Sequence, residues 1–155
     1  MSYEKLELLI NGKWKMGSEN KAEPVINPAT NEVIGDLPHA SKKDLDEALE
    51  SNLEAFKLWK KESPLNRQKI IENACRNLES KFDQVATNLT IEMGKPIAEA
   101  KGELAVGLDV LRWYGEEGKR AYGRIVPSRM SNMSQTVIKE PIGPVIAFVA
   151  WNFPV

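Results

Sequence analysis

The chain has 155 residues, of which 42% are hydrophobic and 28% charged, and its formal net charge is −1, a composition typical of a soluble globular chain with no surplus of charge for nucleic acid. The single cysteine excludes an intrachain disulfide, and one cysteine with one histidine argues against a structural zinc site, so we expect no metal centre of that kind. The apolar runs are too short for a signal peptide or a membrane span, which predicts a cytoplasmic protein without a membrane partner.

The first segments predict short strands joined by turns. The extended residues 6–10 and 13–14 flank the dipeptide Asn11-Gly12, which is the strongest short-range signal for a hairpin because both turn positions need positive φ. Residues 26–32 are rich in turn formers, and residues 33–38 then predict a second short extended piece.

Three amphipathic helices are predicted next. Ser41 suits the N-cap of the first, Ser63 with Pro64 suits the start of the second, and Pro96 begins the third. Behind each start, apolar residues recur at the spacing of one helix face. They are Leu45, Ala48, Leu49, Leu53, Phe56 and Trp59, then Ile71, Ala74, Leu78, Phe82, Val85 and Leu89, then Ile97, Ala100, Leu104, Leu108 and Leu111.

Three glycines mark the ends of the second and third helices. Gly94 is expected to end the second helix. Gly115 and Gly118 weaken a helix by about 1 kcal/mol each relative to alanine, which predicts close packing against another element there. The pair does not follow a strand, so it is not interpreted as a dinucleotide-binding turn.

The character of the sequence changes in its last part. Residues 124–127 and 135–139 predict two strands with a polar connection at 128–134. Residues 145–150 are continuously apolar and follow a cluster of proline and glycine, which favours a parallel strand buried on both faces. Such a strand needs neighbours that are reached through crossovers of a dozen or more residues. We therefore expect the chain to be a fragment of a larger fold.

Residues 151–154 follow that predicted strand at its carboxyl end, where open α/β sheets bind ligands. Asn152 can donate its side-chain amide to an oxygen that develops negative charge. Asparagine also caps turns, and position alone leaves both interpretations open. Cys75 flanks the second apolar stripe, which favours a small buried thiol, and His39 is expected to be an exposed turn residue.

Four motifs, in order along the chain, resemble the aldehyde dehydrogenase superfamily over essentially all of its length. They are Ile10-Asn11-Gly12-Lys13-Trp14, Asn27-Pro28-Ala29-Thr30, Glu92-Met93-Gly94-Lys95-Pro96, and Glu140-Pro141-Ile142-Gly143-Pro144 running to Trp151-Asn152-Phe153-Pro154. The resemblance implies an α/β fold, the N-terminal part of a Rossmann-like cofactor domain with a β-hairpin arm. Residues 1–121 would belong to the NAD(P)-binding domain with short strands and three helices, 122–141 to the oligomerisation hairpin, and 142–155 to the first buried strand of the cofactor-binding sheet, truncated.

The same resemblance implies NAD(P)-dependent oxidation of an aldehyde to its carboxylate through a cysteine thioester. The family's cysteine nucleophile and glutamate base lie beyond residue 155, so Cys75 is not the nucleophile and the chain alone is expected to be inactive. Asn152 would help to bind the oxyanion of the thiohemiacetal. Phe153 would face the aldehyde tunnel.

Cofactor contacts are implied for Val149, Ala150, Trp151 and Asn152. Ala150 departs from the proline that many members have, so the backbone there is expected to be less rigid. The resemblance leaves NAD and NADP both open. It also implies a homo-oligomer, either a dimer or a tetramer.

A finer resemblance to the succinate-semialdehyde dehydrogenase branch lies in Glu116-Glu117-Gly118-Lys119-Arg120 followed by Tyr122-Gly123, and residues 95–103 agree with it. It implies a semialdehyde substrate such as succinate semialdehyde.

Val25, Ile26 and Glu92 align with positions that bind a monovalent cation in some members, and a plain turn contact is the alternative. The alternative for the whole chain is a non-catalytic, truncated polypeptide that acts only in binding or assembly.

Overall fold

The computed structural model describes residues 3–155. Its elements in chain order are β1 (Leu8–Ile10), β2 (Lys13–Lys15), β3 (Ala22–Ile26), β4 (Val33–Pro38), α1 (Lys42–Trp59), α2 (Pro64–Glu79), α3 (Phe82–Met93), α4 (Ile97–Glu117), a single 3-10 turn (Gly118–Arg120), β5 (Arg124–Pro127) and β6 (Ser134–Val137). The strands pair as three antiparallel hairpins, β1 with β2, β3 with β4, and β5 with β6. Among residues 3–155, no helix combines the length and the apolar character that crossing a bilayer requires.

The first hairpin confirms its prediction. Ile10 pairs with Lys13, and the two residues between them have φ of 52° at Asn11 and 70° at Gly12. Positive φ at both positions is the requirement of the tight turn that joins two right-twisted strands. Strand β4 was also predicted. Its partner β3 was not, because its residues are mostly exposed and lack the alternation that marks a half-buried strand.

A buried network at the start of α1 ties this helix to the chain before it. The Asp44 carboxylate accepts hydrogen bonds from the backbone N–H groups of Ser41 and Ser18, both at 2.9 Å, and from both serine hydroxyls. Ser41 in turn accepts from the Asp44 N–H, which completes the predicted N-cap as a capping box. These hydrogen bonds, led by those from the Ser18 and Ser41 backbones, hold the pKa of Asp44 well below its usual range.

Glycine is required beside this network. A Cβ at Gly17 would lie 2.0 Å from the backbone oxygen of His39. The chain therefore approaches itself too closely at this point for any side chain, and the Ser18 N–H reaches Asp44 as a result. His39 itself is exposed, as predicted.

The second predicted helix is two helices. Helix α2 starts at Pro64 with Ser63 as its N-cap, as predicted, but it ends at Glu79, and α3 begins at Phe82. The prediction of one continuous helix was wrong because the two-residue break at Ser80 and Lys81 preserves the phase of the apolar stripe. Ser80 keeps a right-handed helical conformation, and its hydroxyl donates to the Asn77 carbonyl at 2.7 Å.

The core lies between α2, α3 and α4. Ala86 and Leu89 of α3 pack against Ala100 of α4, with Met93 at the edge, and Leu104 is fully buried. Cys75 is a free, fully buried thiol on α2, which confirms its prediction. By contrast, the apolar stripe of α1 is about half exposed along Leu45, Leu49 and Leu53.

Of the three predictions made for glycines, two are confirmed and one is wrong. Gly94 has φ of 76° and ends α3, as predicted. A Cβ at Gly115 would lie 3.2 Å from Cγ2 of Ile71, so close packing of α4 on α2 explains this glycine. Gly118 has no such neighbour within 4 Å, so the packing explanation is wrong there. Beside Gly115, Arg112 of α4 pairs with Glu72 and Glu79 of α2.

The last part of the chain differs most from its prediction. Strands β5 and β6 form the expected hairpin, and all their residues are exposed. Residues 138–150 form no strand, and Phe148 is 96% exposed, so the predicted buried strand at 145–150 is not formed. A central parallel strand needs partners on both sides, and within residues 3–155 every paired strand already belongs to an antiparallel hairpin. The domain boundaries at 121 and 141 stay predictions.

The lowered pKa of Asp44 predicts how stability depends on pH. A carboxylate whose folded-state pKa lies below its unfolded value of about 4 stabilises the fold above that value, and this contribution is lost as the pH falls through the folded pKa. We expect Asp44→Asn to lower the urea midpoint at pH 7 and the difference from the parent to shrink progressively below pH 4. The exposed neighbour Asp46, changed to Asn, is the matched control and should shift the midpoint little. A difference that is the same at pH 7 and pH 2.5 would contradict this prediction.

Candidate functional site

Asn152 lies in an exposed turn formed by residues 151–153. Within the part of the chain that the structure describes, no hydrogen bond engages its side-chain amide. Asn27 provides the contrast, because its Oδ1 accepts from the Ala29 N–H at 2.9 Å and so caps its own turn. The turn-cap interpretation of Asn152 therefore lacks its expected hydrogen bond, and the amide is free to bind a ligand.

The backbone of the same turn is held firmly. Lys95 Nζ donates to the Asn152 carbonyl at 2.6 Å and pairs with the Glu103 carboxylate. The other oxygen of Glu103 accepts from the Val155 N–H at 3.0 Å. The Lys95 and Glu103 side chains are only 9% and 3% exposed. Lys95 Nζ also lies 4.1 Å from the centre of the Phe153 ring, within the range of a cation–π contact.

Local structure explains why these groups meet. Gly94 reverses the chain after α3, and Pro96 starts α4, so Lys95 sits in the tight connection between the two helices. Glu103 lies farther along α4 on its buried side. A Cβ at Gly107 would lie 3.1 Å from Cγ1 of Val155, so the missing side chain leaves room for the end of the turn to rest on α4.

The residues predicted to contact a cofactor form one continuous, exposed strip. Val149, Ala150 and Trp151 precede Asn152 directly, and Trp151 is 85% exposed. The contact of these residues with a cofactor stays a prediction. Gly115 and Gly118 lie in and just after α4 rather than after a strand.

Phe153 lies in the same turn, as expected. One face of its ring is occupied by the Lys95 ammonium, and the side chain is partly exposed. Its contact with an aldehyde stays a prediction.

The residues suggested for a monovalent cation lie close to Tyr3. The Tyr3 hydroxyl donates to the Glu92 carboxylate, and its ring packs 2.9 Å from where a Cβ of Gly35 would be. Gly35 pairs with Val25, and a register shift follows between Val25 and Ile26. Burial, followed by the Glu92 carboxylate, raises the pKa of Tyr3 above its usual value. The Glu92 carboxylate is thus engaged by a protein donor, which favours the plain structural contact.

An apolar groove lies elsewhere, between the end of α1, α2 and the segment near Pro144. Phe56, Trp59, Ile70 and Val145 are among the residues that line it. Neither Asn152 nor the strip before it contributes to this groove. The groove is therefore separate from the candidate site.

Sequence reasoning missed the roles of Lys95 and Glu103. Lys95 and Glu103 occur in the motifs at residues 92–96 and 95–103, but the resemblance assigns a role to neither. Glu103 follows Ala100 by three residues and precedes Leu104, so a carboxylate stands beside the buried stripe of α4. A charge at such a position needs a partner, and this was the available signal.

Three comparisons with known proteins agree on the family. A model of the aldehyde dehydrogenase family matches residues 14–155. A 4-(hydroxymethyl)benzenesulfonate dehydrogenase from Comamonas testosteroni is 41% identical over 96% of this chain. The chain spans 31% of that relative's length.

Solved structures agree in fold. The succinate-semialdehyde dehydrogenase from Burkholderia pseudomallei superposes with a TM-score of 0.92 at 34% identity, over 96% of this chain and 31% of its own. An NADP-dependent enzyme from E. coli superposes with a TM-score of 0.91 at 35% identity, over 94% of this chain and 30% of its own. The chain thus matches the N-terminal portion of these structures, which confirms the predicted fold class.

Proposed function

The chain belongs to the aldehyde dehydrogenase family, and we propose that it forms the N-terminal third of an enzyme that oxidises an aldehyde to its carboxylate with NAD or NADP. In this proposal the nucleophilic cysteine and the general base lie outside these 155 residues. When bound, the dinucleotide accepts a hydride from the substrate carbon. What this chain supplies is the Asn152 amide, which donates to the aldehyde oxygen as it becomes an oxyanion.

One contrast at Asn152 supports this proposal. Its backbone carbonyl accepts a hydrogen bond from Lys95, whereas its side-chain amide makes no hydrogen bond within residues 3–155. A donor stabilises a transition state best when it is oriented in advance and does not need to reorganise during the reaction. The bond from Lys95 to the Asn152 carbonyl restrains the turn, while the amide keeps its donors available. The strip from Val149 to Trp151 would then support the flat rings of the dinucleotide beside this donor.

The proposed substrate is an aldehyde that carries an acidic group, with succinate semialdehyde as the first choice. The names of two similar proteins support the acidic group, since one concerns a hydroxymethyl benzenesulfonate, an alcohol, and the other a semialdehyde that carries a carboxylate. Both are anions located away from the carbon that is oxidised. The cytoplasmic location and the choice between NAD and NADP stay predictions.

We also propose that β5 and β6, within residues 122–141, form an arm that contacts another subunit. All their residues are exposed, including Ile125 and Val137. An isolated two-stranded hairpin is marginally stable in water, so a partner subunit would supply the missing contacts.

Replacing Asn152 tests its catalytic role directly. In the complete enzyme, Asn152→Ala should lower kcat by about 100- to 1000-fold, the usual effect of removing one oxyanion donor, while cofactor affinity changes little. Asn152→Asp should be slower still, because a carboxylate repels the developing charge. Asn73→Ala, an exposed change on α2, is the control.

Steady-state kinetics combined with a thermal midpoint separates this role from a structural one. A turn cap would lower the midpoint and leave kcat of the folded enzyme near normal. That result would contradict the assignment.

The purified polypeptide 1–155 should oxidise no aldehyde. Its single thiol, Cys75, is completely buried in the helical core and cannot reach a substrate. The measurement is reduced dinucleotide formed from succinate semialdehyde. Activity that persists through purification and disappears in Cys75→Ala would refute the placement of the nucleophile elsewhere.

The complete enzyme should be a dimer or a tetramer that depends on the hairpin. Replacing exposed Ile125 with Asp should shift the mass measured by light scattering towards the monomer, whereas Lys42→Asp on the surface of α1 should not. A stable and fully active monomer of the unmodified enzyme would count against the proposed arm.

A further inference from the structure

The pair Lys95–Glu103 is the one ion pair within residues 3–155 in which both side chains are at least nine-tenths buried. It also provides the hydrogen bonds that hold the turn bearing Asn152. We propose that Lys95 and Glu103 are positioning residues for catalysis, which set the direction of the Asn152 amide through the backbone of residues 152–155. This inference rests on the proposed function of Asn152.

Both charged groups of this pair are buried. Removing an ammonium and a carboxylate from water is unfavourable unless each group finds further hydrogen-bond partners. Here those further partners are the Asn152 carbonyl for Lys95 and the Val155 N–H for Glu103. Each charge is therefore fully satisfied only while the turn rests on α4. The pair favours one docked position of the turn over others.

The pair contacts the turn at three successive points. The two bonds reach the backbone on either side of Phe153 and Pro154, one at 2.6 Å and the other at 3.0 Å. A third contact joins the Lys95 ammonium to the Phe153 ring at 4.1 Å. Three contacts at successive points restrain both the place and the rotation of the turn. Because the Asn152 carbonyl is held, the position of its Cα, from which the side chain extends, is restrained as well.

The pair is expected to affect the catalytic rate rather than the binding of the dinucleotide. Neither Lys95 nor Glu103 is part of the exposed strip at 149–151, so neither is expected to touch the dinucleotide. Loosening the turn would misdirect the amide without removing it. A misplacement of about 1 Å can reduce a rate by about 100-fold, so the effect should appear in kcat and much less in the KM for the cofactor.

A double-mutant cycle on the complete enzyme tests this. Lys95→Met keeps an unbranched side chain only one atom shorter and removes its charge, and it should lower kcat by about 10- to 100-fold. If Lys95 acts through Asn152, adding Lys95→Met to Asn152→Ala should cost less than about a further twofold, because there is no longer an amide to direct. Rates are expressed per folded protein, using the folded fraction at the assay temperature.

The matched control is Lys101→Met. Lys101 lies on α4, two residues before Glu103, and pairs with Asp83 at 2.8 Å, but the two side chains are 47% and 83% exposed. This variant should keep kcat and should give no coupling with Asn152→Ala. Lys95→Arg, which retains the charge, should recover part of the lost kcat, and it replaces Lys95→Met in the cycle if the methionine variant does not fold.

The outcomes separate the two proposals. If Asn152→Ala lowers kcat and the double variant loses kcat by the product of the two single fold-losses, Lys95 is only a structural residue. This inference is then overturned while the proposed function stands. If Asn152→Ala has a normal kcat, the proposed function fails and the positioning role fails with it. Strong coupling, an unchanged cofactor KM and partial recovery in Lys95→Arg together support the inference.

Discussion

Close approach to helix α4 is the constraint on which the rest of the structure depends. Small residues on this helix admit three different neighbours: Ala100 receives α3, Gly115 receives Ile71 of α2, and Gly107 receives Val155. A Cβ at Gly107 or Gly115 would lie 3.1 Å or 3.2 Å from the side chain packed there, so Val155 or Ile71 would have to shift by a few tenths of an ångström. Because α4 also carries Glu103, the same helix that organises the core determines where the end of the described chain rests.

The candidate site follows from this arrangement without any long-range strand pairing. The core orients α3 and α4, the left-handed Gly94 turns the chain between them, and Lys95 is thereby placed where it can bind both Glu103 and the turn at Asn152. The backbone that carries the proposed oxyanion donor is thus held against helix α4, although it lies in a segment that forms no regular structure. This explains how residues 152–155 are held even though residues 138–150 have no strand partner.

The features predicted correctly from sequence are those with a local cause. Asn11-Gly12 requires its turn, Ser41 and Ser63 cap the helices that follow them, and Gly94 ends α3. The break between α2 and α3 was missed because it leaves the apolar phase unchanged. The strand predicted at 145–150 does not form, because within residues 3–155 every paired strand already belongs to an antiparallel hairpin and none is left as its partner. Asn152 was identified through motif resemblance, whereas Lys95 and Glu103 required knowledge of how α4 meets the turn.

Two hydrogen bonds hold the turn, and both are made to main-chain groups: the carbonyl of residue 152 and the N–H of residue 155. Every amino acid offers that carbonyl, and every one except proline offers that N–H. These two bonds therefore do not depend on which side chains the turn carries, whereas the contact of Lys95 with the Phe153 ring does. A substitution at residue 152 can therefore change the side chain while the main-chain bonds beneath it stay available.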